Sequence, residues 1–427
     1  MANAKIPRLN SQLFRLPFLT GTFKLPYETL NSHSAFRVTK GLSISIRKIS
    51  FQNEWLTIGI KLDEEKEEKV YLKSTLKELL IGCSVDTDES YLSRYAYFAL
   101  HKLMYINDYC NFERYYWPDF FTSSKGGSRY LIIINDRNGL DITFKPNYSF
   151  FLKPGQELKM PSIASKFNRP LMIFMDKKFV IDQQKNGIGF CLADTYLKSW
   201  HSNHLPFLIP YNGILTQKQN AIKTFTSFVT SETNGDITEF SPMQIELYKI
   251  CIRMRLITSI HKPDYGCTQD QITVIEEDNF KRFEELFTLW QDALPYLVHQ
   301  PLTHHYFTYG LRNIRNKPRK MDMKPCSFGY EVPKICFLWK DKGEYYELDY
   351  RFKVGEKLLK PAESNTVFFI NDELNPMKFY LFESISDCQL TLFFAERQFK
   401  MQILKAHYSY FQDYLEKLRT HFEVKDM

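Results

Sequence analysis

The chain is 427 residues long, 25% charged, 44% hydrophobic and 16% aromatic. That length suits roughly two to four domains, and the apolar content excludes disorder as the main state. The net charge of +7 is uneven: residues 1–48 hold eight cations against one acid, and the rest balances at 48 against 48. A neutral body of this kind is not a polyanion-coating protein.

Residues 1–40 read as an extended, basic, proline-containing arm, with Pro7, Pro17 and Pro26 as punctuation. A pentad recurs nine residues apart, Phe14-Arg-Leu-Pro-Phe18 and then Phe23-Lys-Leu-Pro-Tyr27. Proline fixes φ and donates no ladder hydrogen bond, so this is extended chain. Phe14, Arg15, Phe18, Phe23, Lys24 and Tyr27 are candidates for docking a partner. The competing reading lays the same aromatics across the protein's own body.

Residues 41–127 predict strands and then helices. Leu42, Ile44 and Ile46 alternate, as do Leu56, Ile58 and Ile60, and the acidic run Asp63–Glu68 suits a solvated hairpin tip. Tyr91, Tyr95, Phe98, Leu103, Ile106 and Tyr109 recur at helical steps, which predicts helix across 88–117, ended by Trp117-Pro118.

An internal repeat organises the remainder. Tyr130–Gly139 is a strand running into a turn, and Lys334–Gly343 repeats it 204 residues later. Gly155-x-x-Leu-x-x-Pro161 and Gly355-x-x-Leu-x-x-Pro361 follow at an offset of 200, as do Phe179-Val-Ile181 and Phe379-Tyr-Leu381. Two β-units are therefore expected, 128–212 and 332–427, the second closed by a helix with Tyr408, Phe411, Leu415, Leu418 and Phe422 on one face. Between them, 213–331 predicts a helical segment with a basic linker. Ser241, Pro242 and Gln244 start one helix there as N-cap, N1 proline and capping-box partner. A further helix is expected from Asp278. The fold class is α+β: two related β-rich units, each with helices, joined by a helical segment.

Signatures of common enzymes are absent from the sequence. Ser124-Lys-Gly-Gly-Ser128 lacks phosphate-loop spacing, Gly187-Ile-Gly189 lacks a third glycine, and no nucleophile elbow or zinc-protease helix occurs. His201 and His204, near Cys191 and Asp194, are metal-ligand types, but they read first as polar turn residues. His299, His304 and His305 read first as helix-end and loop residues, with metal or acid–base work as the alternative. Asp141 with Glu157-x-Lys159 mimics a divalent-metal nuclease pattern, yet Glu157 and Lys159 lie inside the repeated glycine–leucine–proline motif. Eight scattered cysteines form no paired spacing and suggest reduced thiols in a cytoplasmic protein. No apolar run reaches membrane-helix length and no signal peptide is expected.

One cluster favours binding. Arg312, Arg315, Lys317, Arg319, Lys320 and Lys324 fall within 13 residues, opposed only by Asp322, and Tyr306, Phe307 and Tyr309 precede them. Cations beside aromatics suit phosphate backbones and unstacked bases. The competing reading is a solvated linker broken by Pro318 and Pro325.

The last hundred residues carry an ordered pattern: Gly355-x-x-Leu-x-x-Pro361, Val367-Phe-Phe-Ile370, Phe379-Tyr-Leu-Phe382, Leu392-Phe-Phe394, Met401-x-Ile-Leu404 and the helix Tyr408–Phe422 ending in Glu423-Val424. It resembles the accessory region that precedes the motor in a group of bacterial Swi/Snf-type (DEAD/DEAH) helicases. The motor motifs have no counterpart here, so the resemblance implies neither helicase activity nor an ATP site. It implies a stand-alone relative of an accessory module in a DNA-processing setting.

The sequence therefore predicts a non-enzymatic binding module without cofactor or metal. Its partner would be nucleic acid, bound through Arg312, Arg315, Lys317, Arg319, Lys320, Lys324, Tyr306 and Tyr309, or a protein of a DNA-processing complex, with no membrane partner. The alternatives are a metal-dependent nuclease and a protein-only interaction or defence-type module.

Overall fold

The computed structural model describes residues 13–86, 88–121, 128–136, 139–156, 158, 161, 186–195, 203–218, 220–230, 240–264, 266–315, 317–361, 367–372 and 377–427. The protein is α+β, mostly β. It forms two compact units. The first takes the chain to Leu158 with Asp341–Glu347 and Met401–Lys417, and the second takes Lys159–Lys340, Leu348–Lys400 and Leu418–Met427. Among the described residues no helix is long and apolar enough to cross a membrane.

The first unit begins with β1 (Phe14–Pro17), β2 (Lys24–Pro26) and α1 (Tyr27–Ser32), followed by β3 (Ile44–Gln52), β4 (Trp55–Leu62), β5 (Glu68–Ser74) and β6 (Glu78–Cys83). Its antiparallel sheet runs β1-β6-β5-β4-β3. The β3–β4 loop is two residues, Asn53 and Glu54, both at positive φ (48° and 68°), the geometry that matches strand twist in a tight hairpin. Alternation in β4 buries Leu56, Ile58, Ile60 and Leu62 completely, and the acidic run links β4 to its antiparallel neighbour β5.

The docking-arm expectation is corrected from Leu13 onward; residues 1–12 lie outside the described residues. β1 pairs along its whole length with β6, and Phe14, Leu16, Phe18, Leu25 and Leu30 belong to the unit's main core. Phe23 and Tyr27 pack against the same core. Phe18 stacks on Phe112 with ring centroids 6.0 Å apart. Of the arm's cations, Arg15 points out to Glu78 at 2.6 Å. The pentads are packing elements, because apolar and basic positions alternate along an edge strand.

The helix expected over 88–117 is only α2 (Arg94–Leu103). Ile106 and Tyr109, counted in its apolar stripe, are 90% and 41% exposed. The turn through Asn107 and Asp108 leads instead to β7 (Tyr109–Asn111), which pairs with β2. The hairpin of β8 (Leu131–Asp136) and β9 (Gly139–Phe144) completes this stretch.

In the second unit β10 (Asn186–Asp194), β11 (Phe207–Leu215) and β12 (Ile222–Phe228) precede α3 (Pro242–Ile257) and α4 (Gln269–Leu297). Next come β13 (Thr303–Phe307), β14 (Met323–Gly329), β15 (Lys334–Asp341), β16 (Tyr345–Val354), β17 (Lys357–Leu359), β18 (Phe369–Asp372), β19 (Met377–Leu381) and α5 (Ile385–Ala395). The chain closes with β20 (Lys400–Leu404), α6 (Tyr408–His421) and β21 (Glu423–Asp426). A seven-stranded mixed sheet runs β12-β11-β10-β13-β14-β19-β18, with β10/β13 and β14/β19 parallel. A second sheet contains β17-β16-β15-β21 in that order. Gly189 is required where β10 meets β11: a Cβ there would lie 2.1 Å from the Tyr211 hydroxyl.

The Ser241 capping box and Pro242 start α3 as the sequence predicts. The helical reading of 213–331 is otherwise too broad, since β12, β13 and β14 fall within it. α4 starts nine residues before Asp278, at Gln269, under a second capping box from Thr268 and Gln271. Of the face expected on this helix, Phe283, Phe287, Trp290 and Leu294 are buried but Phe280 is 40% exposed, and the Trp290 indole donates to the Pro206 carbonyl at 3.0 Å.

The repeat survives locally. Both segments are hairpins turning at a glycine of positive φ, Gly139 (114°) and Gly343 (84°). Gly155 and Gly355 are also left-handed, at 73° and 56°. Beyond that the routes differ. Gly355 joins the paired strands β16 and β17, whereas Gly155 follows a short helical turn and Phe151. β18 and β19 join the seven-stranded sheet and not that of β15 and β16, and Phe179–Ile181 lies outside the described residues. Neither 128–212 nor 332–427 closes as a unit of its own.

Candidate nucleic-acid interface

β10 and β13 run parallel and end together, Asp194 opposite Phe307. The chain leaving β13 forms the loop 308–322 before returning as β14. It carries five of the six clustered cations, and Lys324 follows in β14. Open parallel sheets commonly bind ligands beyond the carboxyl ends of their strands.

This loop is anchored. The Thr308 amide donates to the Asp194 carbonyl at 2.8 Å, and its hydroxyl donates to the Gly310 carbonyl. The Leu311 amide donates to Asn203 Oδ1 at 3.0 Å. Ile314 and Pro318 are buried, and Leu311–Arg315 forms a tight helical turn. The anchors hold the cations outward. Arg312, Arg315, Lys317, Arg319, Lys320 and Lys324 are all exposed, and none makes an ion pair among the described residues.

The two tyrosines differ. Tyr309 is 57% exposed, its ring edge-on to Phe307 with centroids 5.6 Å apart. Tyr306 is half-buried against Phe228, and burial raises its hydroxyl pKa, with Asp322 adding and Arg319 opposing. Tyr306 is thus a sheet residue, and Tyr309 is the free stacking face.

Arg255, on α3, is a cation that the sequence reading missed, because it sits in a helix that is largely apolar. Its Nη1 is buried without a hydrogen-bond partner among the described residues. Burial lowers its pKa, and nearby Arg315 lowers it further. Two neighbouring guanidiniums with no ion-pair partner among the described residues favour an anion beside them.

The structure also gathers histidines from separate sequence clusters. His305 Nε2 lies 3.2 Å from Asp194 Oδ2, and Asp194 Oδ1 accepts from the Thr195 amide at 2.7 Å. His204 is fully buried; its Nδ1 is 2.9 Å from the Leu205 carbonyl and its Nε2 has no partner among the described residues. Burial lowers the His204 pKa, opposed by that carbonyl and by Asp194.

His304, next in sequence to His305, points to the opposite face of the strand. Its Nδ1 meets the Tyr211 hydroxyl at 2.7 Å, and burial pushes its pKa down to about 4. Cys191 shares that face: its thiol lies 3.9 Å from Met323 Sδ, and burial raises its pKa. Cys191 and Asp194 therefore do not join in one ligand set. His299 is half-buried near the end of α4, and His201 lies outside the described residues. No group of three or more His, Cys, Asp or Glu side chains converges as a metal site among the described residues.

Of the nuclease pattern, only Asp141 falls within the described residues. Asp141 is exposed on β9, and Glu157 and Lys159 lie outside the described residues. No protein-family model, curated protein or solved structure matches this chain.

Proposed function

We propose that the second unit is a non-enzymatic nucleic-acid-binding module, acting as an accessory within a DNA-processing assembly. One observation carries this reading: six exposed cations, five on an anchored loop and Lys324 just after it, make no ion pair among the described residues. Tyr309 beside them offers a face on which an unpaired base stacks, and Arg255 with Arg315 offers a recessed positive point for a phosphate. The DNA-processing setting rests on the resemblance of the C-terminal pattern to helicase accessory regions.

The test is fluorescence anisotropy with labelled single-stranded DNA, single-stranded RNA and duplex, over a series of salt concentrations. Salt-sensitive binding, lost on replacing Arg312, Arg315, Arg319 and Lys320 by Ala, supports the reading. Absence of binding to all three at low salt overturns it and leaves a protein partner as the reading to pursue.

A further inference from the structure

The first unit contains a cleft of about 490 Å³ lined by Thr22, Phe23, Lys24, Asn111, Glu113, Lys153 and Pro154 among others. A volume of this size accommodates a small organic molecule. The cleft has one ammonium in an unusual position. Lys153 is half-buried, with its Nζ 3.9 Å from the Trp117 ring centroid. Nζ donates to the Tyr116 carbonyl at 3.1 Å. It makes no ion pair among the described residues.

A lysine ammonium carries three donors, and here one carbonyl and one ring face do not satisfy them. Burial pushes its pKa down to about 8, against the pull of Glu113. Glu113 is exposed and too far to pair. On the same cleft, Lys24 lies over the Tyr109 ring at 4.7 Å and also makes no ion pair among the described residues. The lining therefore carries two cations against one acid. An unpaired, desolvated ammonium is stabilised by an anion that reaches its free donors.

We propose that this cleft binds a small organic anion, a phosphate monoester or a carboxylate, through Lys153 and Lys24. Phe23 and Pro154 take the apolar part of the ligand. The site is independent of the nucleic-acid reading, since every residue in it belongs to the first unit.

The experiment uses the full chain with inorganic phosphate, phenyl phosphate and benzoate as probes, in calorimetric titrations. Phenyl phosphate is expected to bind more tightly than inorganic phosphate, and benzoate against phenyl phosphate tells which anion the site prefers. Lys153→Met keeps the aliphatic stem on Trp117 and should weaken binding roughly tenfold or more; Lys24→Met should weaken it less. Unchanged affinity in both variants overturns the proposal, as does absence of binding by all three probes. If Lys153→Met fails to fold, acylation of the wild-type chain decides. The best-binding probe should slow labelling of Lys153 while leaving the exposed lysines unaffected, and equal labelling with and without probe overturns the proposal.

Discussion

Two basic stretches of this chain look alike in sequence and have opposite fates. Residues 14–27 and 306–324 both combine cations, aromatics and prolines. In the first, Phe14, Leu16 and Phe18 turn inward and the basic residue Arg15 between them turns out to Glu78. In the second, Ile314 and Pro318 turn inward and six cations turn out with no ion pair among the described residues. The difference is periodic. Strict alternation lets a strand bury every apolar side chain and pair its charges at a sheet edge. Adjacent cations broken by proline give no such face, so the chain is tied down by backbone bonds and its charges stay in water. A basic, aromatic segment is a binding candidate only when its aromatics are not the ones that alternate.

The largest test of that contrast is removal. Truncation through Phe18 strips β1 from β6 and takes three core side chains, and should abolish soluble expression. A milder form, Leu16→Ala, should cost about 2–5 kcal/mol in urea unfolding, as for other fully buried leucines. A stable, soluble truncated chain would return these residues to the role of a docking arm.

The loop should behave in the opposite way. Replacing Arg312, Arg315, Arg319 and Lys320 by Ala should lower the slope of log affinity against log salt by up to about 2.8 on single strands, at about 0.7 per phosphate. The melting temperature should stay nearly unchanged, because unpaired exposed charges contribute little to folding. A large fall in melting temperature would mean that the loop, like β1, is structural.

The adjacent histidines sharpen the contrast further. His304 is buried with a pKa of about 4, below its ordinary 6.5. Between these values the unfolded chain binds a proton that the folded chain refuses. Stability attributable to this group is therefore complete above pH 6.5, falls as pH drops from there, and is lost by about pH 4. The full loss is about 3 kcal/mol. His304→Gln should flatten the acid limb of the urea midpoint against pH; an unchanged limb would show that His304 does not titrate as a buried neutral group.

The smallest expected effect is at Tyr309. Tyr309→Ala should weaken single-strand binding by about 1–3 kcal/mol if one base stacks there, without altering the salt slope. A loss confined to duplex DNA would argue against stacking.

Much of the fold was legible where pattern and packing agree. β4 shows strict alternation, the Ser241–Gln244 box sits before an apolar run, and α6 keeps its stripe with Phe411, Leu415 and Leu418 buried. The reading failed where local pattern and tertiary pairing disagree. Ile106 and Tyr109 fit a helical period, but β7 claims Tyr109–Asn111 for pairing with β2. Sheet membership was not legible either, since nothing local in Phe379-Tyr-Leu381 says that its partner is β14. At the candidate site the six cations could be read directly, because adjacent charges announce themselves. The Asp194–His305 pair could not, because it forms only through the parallel alignment of β10 and β13, and Arg255 could not, because it sits in a largely apolar helix.

The closing strand β21 lies at the margin of its sheet, parallel to β15, and the Met427 amide donates to the Trp339 carbonyl at 2.9 Å. Its sequence, Glu-Val-Lys-Asp, is almost wholly charged. Strand margins with free amides and carbonyls recruit other chains into growing ribbons, and charged side chains resist that recruitment. β21 thus acts as a guard rail: it saturates the backbone of Cys336–Trp339 and presents charge where a second molecule would otherwise add. A chain ending before Glu423 would uncover one of the most apolar strands of the second unit and invite self-association.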